Sequence, residues 1–262
     1  MNTYKSDIRI FYVLMQRELY GFGKTLQQSL LDGGVQCITQ ILLLGFLFPA
    51  IGMPTSLIGP MYIGSMISML FSTGFSYAFK QLFDLRGPRI IDYHLTLPLN
   101  KTWLMIAYTA RAMIQMFMTT IPFALLAIFM SATQWITFDI KPIAFAIIYL
   151  LTLILFAVWY QTASFRYDLP WVLNNLWPRR LFFLFLFGCL FMPWHAIYTV
   201  CPCIAYIFLC NPITYVAEGW RASLLPANQY LPLPICGFML SMCVALGIMA
   251  LATSMRKRLD PV

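Results

Sequence analysis

Charge is scarce in this chain. Of its 262 residues only 10% are Asp, Glu, Lys or Arg, against about 25% in an ordinary soluble domain. Histidine occurs twice, as His94 and His195. These shortages remove most catalytic chemistry from consideration. No Ser/His/Asp set is legible, and Asp92 and His94, two residues apart, would not share a helix face. His195 with Met192, Cys201 and Cys203 has the softness of a metal or haem site, but sulfur-containing packing is the simpler reading, so no metal is expected. Gly23-Lys24-Thr25 imitates the end of a phosphate-binding loop, yet that loop needs a glycine where Glu18 stands. The chain therefore carries no visible ATP site and no catalytic residue. The start of the sequence lacks a compact apolar stretch followed by small residues, so a cleaved signal peptide is not expected.

What remains is apolar: 61% of residues are hydrophobic and 16% aromatic. A hydrocarbon layer about 30 Å thick needs roughly 20 apolar helical residues to cross it. Six stretches qualify, near Leu30–Ile51, Leu57–Phe79, Trp103–Met130, Pro142–Phe165, Leu181–Val200 and Leu233–Ser254. Their apolarity runs all round rather than alternating, which favours helices over barrel strands. The expected fold is an all-α membrane protein of one domain over residues 1–262, with a six-helix core at 29–256. Little chain is left for a separate soluble domain.

The basic residues order these spans. All of the 17 except Arg111, Lys141 and Arg221 fall before span one, between spans two and three, between spans four and five, or after span six. Positive charge concentrates on the cytoplasmic side of a bilayer, so both termini are expected there, and the formal charge of +8 does not indicate nucleic acid. Residues 1–28 read as an amphipathic interfacial segment. At 100° per residue Lys5, Arg9, Gln16, Arg17 and Lys24 share one arc, opposite Ile8, Phe11, Tyr12, Leu14, Met15, Leu19 and Phe22.

Several features inside the spans are informative. Gly64, Ser68, Ser72 and Ser76 recur every four residues, as do Gly237, Ser241 and Ala245, the spacing that lets helices approach closely. Gln36 and Gln40, with Thr39 beside them, make one face of span one polar. That face either lines a substrate path or forms an interhelical hydrogen bond. Gln115 and Gln161 are weaker cases of the same kind. Arg111 either snorkels to the interface or pairs with a buried acid. Four cysteines, Cys37, Cys189, Cys236 and Cys243, read as free buried thiols, while Cys201, Cys203 and Cys210 fall where a disulfide is open to them. On the cytoplasmic side, Arg86-Gly87-Pro88-Arg89 breaks the helix. A short apolar helix over Ile90–Leu97 then follows, stopped by Pro98 and covered by a partner or the membrane surface. On the outer side, Asn211-Pro212 divides two apolar pieces, Pro202–Cys210 and Tyr215–Leu225, too short to cross. They are expected as re-entrant helices between spans five and six. Glu218 and Arg221, three apart, can pair on the second of them, either partly buried or solvated.

The run Asn211-Pro212-Ile213-Thr214-Tyr215-Val216-Ala217-Glu218-Gly219-Trp220-Arg221 resembles the type-2 permease subunits of ATP-binding-cassette exporters, where an Asn-Pro, an aromatic and an Arg on a short helix precede the last span. Tyr93–Leu99, closing through Pro98 ahead of span three, is similar to that family's cytoplasmic segment, with Gly87-Pro88 in place of the usual Gly-Thr. The resemblance implies a permease of a bacterial inner-membrane exporter that moves a hydrophobic or amphipathic substrate such as a drug, lipid or lipid-linked glycan. It also implies a second permease copy, most simply as a homodimer, and separate ATPase subunits that bind ATP and Mg. Arg86, Arg89, Ile90, Ile91, Tyr93, His94 and Leu95 would then receive nucleotide-driven motion. Gln36, Thr39 and Gln40, with Phe187 and Phe191 from the aromatic span five, would face substrate. Asn211, Pro212, Tyr215, Glu218 and Arg221 would build the outer re-entrant element. A stand-alone secondary transporter or channel is the alternative; it calls for intramembrane acids, and none stands at mid-span.

Overall fold

A computed structural model describes residues 12–13, 15–16, 27, 29–86, 101–226 and 230–259, without the side chains of 55, 85, 86, 101, 177 and 257–259. The amphipathic segment at 1–28 and the coupling segment beyond Arg86 therefore lie almost wholly outside the described residues.

Every regular element among the described residues is helical. Helix α1 covers Ser29–Ala50, α2 Ile58–Arg86, α3 Lys101–Ala132 and α4 Pro142–Arg166. Helix α5 covers 169–186, α6 Trp194–Val200, α7 Pro202–Phe208, α8 Pro212–Leu224 and α9 Leu233–Leu259. Four of them, α1, α3, α4 and the Leu233–Arg256 part of α9, are long and apolar enough to cross a membrane. Helix α2 has the length, 29 residues, but its glycines, serines and Lys80 dilute its apolarity.

Helix α4 is the centre of the bundle. It lies against α9, α2, α3 and α8, and its second half is buried almost without interruption, from Thr152 through Phe165. Aromatic side chains fill the space around it. Phe71 of α2 meets Phe156 and Tyr160 edge-on, with ring centres 5.5 and 5.6 Å away. Trp220 of α8 sits 5.4 Å from both Phe145 and Tyr149 and donates to Thr152 Oγ1 at 3.1 Å. Such edge-to-face pairs add to the burial of the rings.

The segments expected on the outer side converge at one end. A cavity of about 720 Å³ is bounded there by Pro49 at the end of α1, Ser56 of the α1–α2 link, Gln134–Thr137 of the α3–α4 link, and Leu225, Pro226 and Tyr230. The α3–α4 link also closes the C-terminus of α8. The Asp139 and Lys141 amides donate to the Leu224 and Ser223 carbonyls at 2.9 and 2.8 Å, and Lys141 Nζ donates to the Ala222 carbonyl at 3.1 Å. Carbonyls that a helix end would leave orphaned are thereby satisfied.

The expected fifth span is not one helix. Helix α5 stops at Leu186, the chain turns through 187–193, and α6 starts at Trp194. Cys189 adopts a left-handed conformation in the turn, with φ 52°. Asn174, Asn175, Arg179 and Arg180 occupy the polar half of α5. The two short helices expected on either side of Asn211-Pro212 are present as α7 and α8.

Candidate functional site

Two places concentrate polar side chains inside this apolar bundle. The first is a node at the break between α5 and α6. Glu218 and Arg221 are both fully buried, and Arg221 Nη1 donates to Glu218 Oε1 at 2.9 Å. The i,i+3 spacing on α8 brings them together, as the sequence allows, but burial rather than solvation is the outcome. Glu218 also accepts the Trp194 amide at 3.0 Å and the Leu231 amide at 3.2 Å. Arg221 donates to the Met192 carbonyl at 3.2 Å, the Pro60 carbonyl at 3.3 Å and the Leu190 carbonyl. The carbonyls at 190 and 192 and the amide at 194 are groups that the helix break frees. In a hydrocarbon setting unpaired backbone groups cost several kcal/mol each, so the ion pair replaces the missing helical hydrogen bonds.

Asn211 extends the node. Its Oδ1 accepts the Ile213 amide at 3.0 Å, capping α8, and its Nδ2 donates to the Leu184 carbonyl at 2.6 Å. Thr214 Oγ1 donates to the Phe208 carbonyl at 2.7 Å, and Tyr215 Oη to the Leu209 carbonyl at 2.8 Å. Pro212 takes the first turn of α8, where its missing N–H costs nothing. Asn211, Pro212, Tyr215, Glu218 and Arg221 thus belong to one structural unit. Replacing Asn211 with alanine removes both a cap and a donor, and a loss of about 2 kcal/mol is expected. Thermal unfolding of the detergent-solubilised protein checks it, with Asn211→Ser, which keeps the cap acceptor, falling between.

The second place is a polar recess of about 530 Å³ between α1, α2 and α3. Ser29, Asp32 and Gln36 line it from α1, Ser72, Thr73, Ser76 and Lys80 from α2, and Gln115 and Thr119 from α3. Gln36 is therefore on a polar surface shared by three helices. Its expected companions are elsewhere. Gln40 is buried, and Thr39 is exposed and donates back to the Val35 carbonyl at 3.0 Å. Phe187 and Phe191 do not line the recess. Phe187 stacks on Phe183 and meets Phe208 edge-on, with ring centres 5.9 and 5.2 Å away, and Phe191 meets Phe185 at 6.2 Å.

Asp32, Ser72, Thr73, Ser76 and Thr119 do not stand out in the sequence as path residues. Ser72 and Ser76 carry a signal, since a four-residue spacing puts them on one helix face, but that face reads as equally suited to helix contact. Gly64 at one end of it approaches the Leu190 backbone closely, whereas Ser72 and Ser76 are exposed to the recess. In α9, Ser241 and Ala245 likewise face outward rather than onto another helix of the chain.

The remaining candidates scatter. Arg111 is exposed, with its guanidinium 5.9 Å from the Tyr77 ring centre. Gln161 is buried and accepts from Thr109 Oγ1 at 2.7 Å. His195 is half-buried, 6.3 Å from the Tyr198 ring. All seven cysteines are free thiols, Cys201, Cys203 and Cys210 included. Among the described residues no group of three or more His, Cys, Asp or Glu side chains gathers. Of the coupling residues, Arg86 ends α2, and Arg89, Ile90, Ile91, Tyr93, His94 and Leu95 lie outside the described residues. Compared with known proteins, the chain matches no family model and no curated protein.

Proposed function

We propose that the chain is the membrane-spanning permease subunit of an ATP-binding-cassette exporter in a bacterial plasma membrane. In this reading it crosses the bilayer six times, with both termini in the cytoplasm, pairs with a second copy, and moves a hydrophobic or amphipathic molecule outward. The span formed by α5 and α6 is broken, and α7 and α8 dip into the outer leaflet. ATP is hydrolysed on separate ATPase subunits held by the segment from Arg86 to Leu95 together with the N-terminal helix. The observation that carries the reading is the recess bounded by Gln36, Gln115 and the Ser72–Ser76 face. Polar groups among spanning helices are costly and mark pathways, and these are uncharged apart from Asp32 and Lys80, as suits an amphipathic cargo. The resemblance at Asn211–Arg221 adds the family. ATP binding on the partner would favour one of two bundle arrangements by binding it more tightly.

Isolation from native membranes under mild detergent tests this. Co-elution of an ATP-binding-cassette ATPase is expected. Ile91→Asp with Leu95→Asp should abolish that association and ATP-dependent transport, while the chain still inserts. Association and transport that survive both changes rule out the coupling role.

The stand-alone carrier remains a second reading because Asp32 faces the recess, and an acid there is the group an ion-coupled carrier needs. Glu218 is not such a group, since Arg221 and two amides occupy it. Ion-driven transport in liposomes without any ATPase, lost in Asp32→Asn, would establish the carrier and displace the exporter.

A further inference from the structure

A second cavity, of about 470 Å³, opens between α4, α5 and α9, away from the recess. Its wall is apolar: Ala163, Leu176, Leu181, Leu184, Leu246 and Ala250 contribute to it. Its volume is that of an ordinary small-molecule pocket. Two cations border it, Arg166 at the end of α4 and Arg180 on α5, and among the described residues no carboxylate lines it.

Those arginines are held in place by aromatic rings. Tyr167 and Trp171 stack face to face, with centres 3.8 Å apart and planes within 11°. The Arg180 guanidinium lies 4.9 Å from the Trp171 ring centre and 5.9 Å from that of Tyr167, and it donates to Tyr167 Oη at 3.2 Å. Arg166 lies 5.7 Å from the Tyr167 ring centre. Contacts of this kind orient a guanidinium while leaving donor edges to bind an anion. Tyr160 contributes to the wall while its ring packs against Phe71 and Phe75 of α2, which leaves its hydroxyl closed off from the open space.

We propose that this cavity binds an acidic phospholipid, seating one acyl chain against Leu181, Leu184 and Leu246 and its phosphate between Arg166 and Arg180. Basic pockets between spanning helices select anionic headgroups in this way, and the apolar wall excludes a soluble anion from most of the volume. The site depends on the chain residing in a membrane and not on what it transports or what powers it.

The test uses the full chain, purified without any ATPase, and counts phospholipid retained through delipidation, by mass spectrometry, after exchange into equal mixtures of phosphatidylglycerol and phosphatidylcholine. An enrichment of phosphatidylglycerol of about thirtyfold is expected, from roughly 1 kcal/mol for each of the two arginines near the phosphate. Arg166→Gln with Arg180→Gln should abolish the enrichment. Arg179→Gln, the same charge change at an exposed neighbour outside the lining, should leave it intact. Ala250→Phe, which fills part of the cavity, should lower total retention of both lipids. Equal retention of the two lipids by the wild type, or a loss in Arg179→Gln as large as in the double variant, would each overturn the assignment. Because no transport is measured, failure of the exporter reading leaves this result standing, and the reverse.

Discussion

Arg221→Gln is expected to lower the stability of the protein by about 3–5 kcal/mol, the range for removing one partner of a buried ion pair. The loss has two sources. Glu218, fully buried, would be left without its counter-ion. The Leu190, Met192 and Pro60 carbonyls would lose their donor. The second source separates this pair from an ordinary buried salt bridge, in which both partners can often be replaced by apolar residues at little cost. Here Glu218→Leu with Arg221→Leu should stay strongly destabilised, because the backbone groups at 190, 192, 194 and 231, buried or part-buried around the pair, lose their partners, and each costs about 1–3 kcal/mol if buried unpaired. Thermal unfolding of the detergent-solubilised protein, followed by tryptophan fluorescence, measures both variants. A double variant as stable as the wild type would show that the pair satisfies only itself and that the helix break is held by other means.

The fold class was legible because it rests on composition over long windows. Helices α1 to α4 and α9 follow from continuous apolar stretches, and their caps and links fall close to where polar residues return. The division at Asn211-Pro212 was also legible, since proline fixes the start of α8 and asparagine caps it. The i,i+3 geometry of Glu218 and Arg221 was local and readable; their burial was not, because it depends on where Pro60, Leu190 and Leu231 lie. The break of the fifth span escaped for the same reason. Residues 181–192 are almost all apolar, and Gly188 is their one obvious helix-weakening residue. What holds the turn is supplied from α8 and α2, far away in sequence. The polar recess was half legible. Gln36 and Gln115 stood out against apolar neighbours, whereas Ser72, Thr73 and Ser76 were disguised by a spacing that serves packing equally well, and Asp32 by its position near the start of α1.

The same dependence on distant partners makes Gly64 the most sensitive glycine on α2. A Cβ built there would sit 1.9 Å from the Leu190 carbonyl oxygen and 2.6 Å from its carbon. Both are backbone atoms, so no side chain can rotate aside. The carbonyl cannot retreat freely either, because Arg221 donates to it. Nor can α2 withdraw: Tyr62, Ile63 and Ile67 flank the position fully buried, and Tyr62 Oη donates to the Phe123 carbonyl on α3. Gly64→Ala must therefore displace the helix break, detach Leu190 from Arg221, or shift α2 against α3 and α4. Overpacking alone costs about 1–3 kcal/mol, and the lost hydrogen bond adds to it, so a total of about 3–5 kcal/mol is expected. Gly34 on α1 is the control, because a Cβ added there would meet nothing within 4 Å; alanine at that position should be neutral or stabilise by up to about 1 kcal/mol through helix propensity. Thermal unfolding of the two variants side by side decides the matter. If Gly64→Ala unfolds no earlier than Gly34→Ala, the close approach of α2 to the turn after α5 is not how the chain folds.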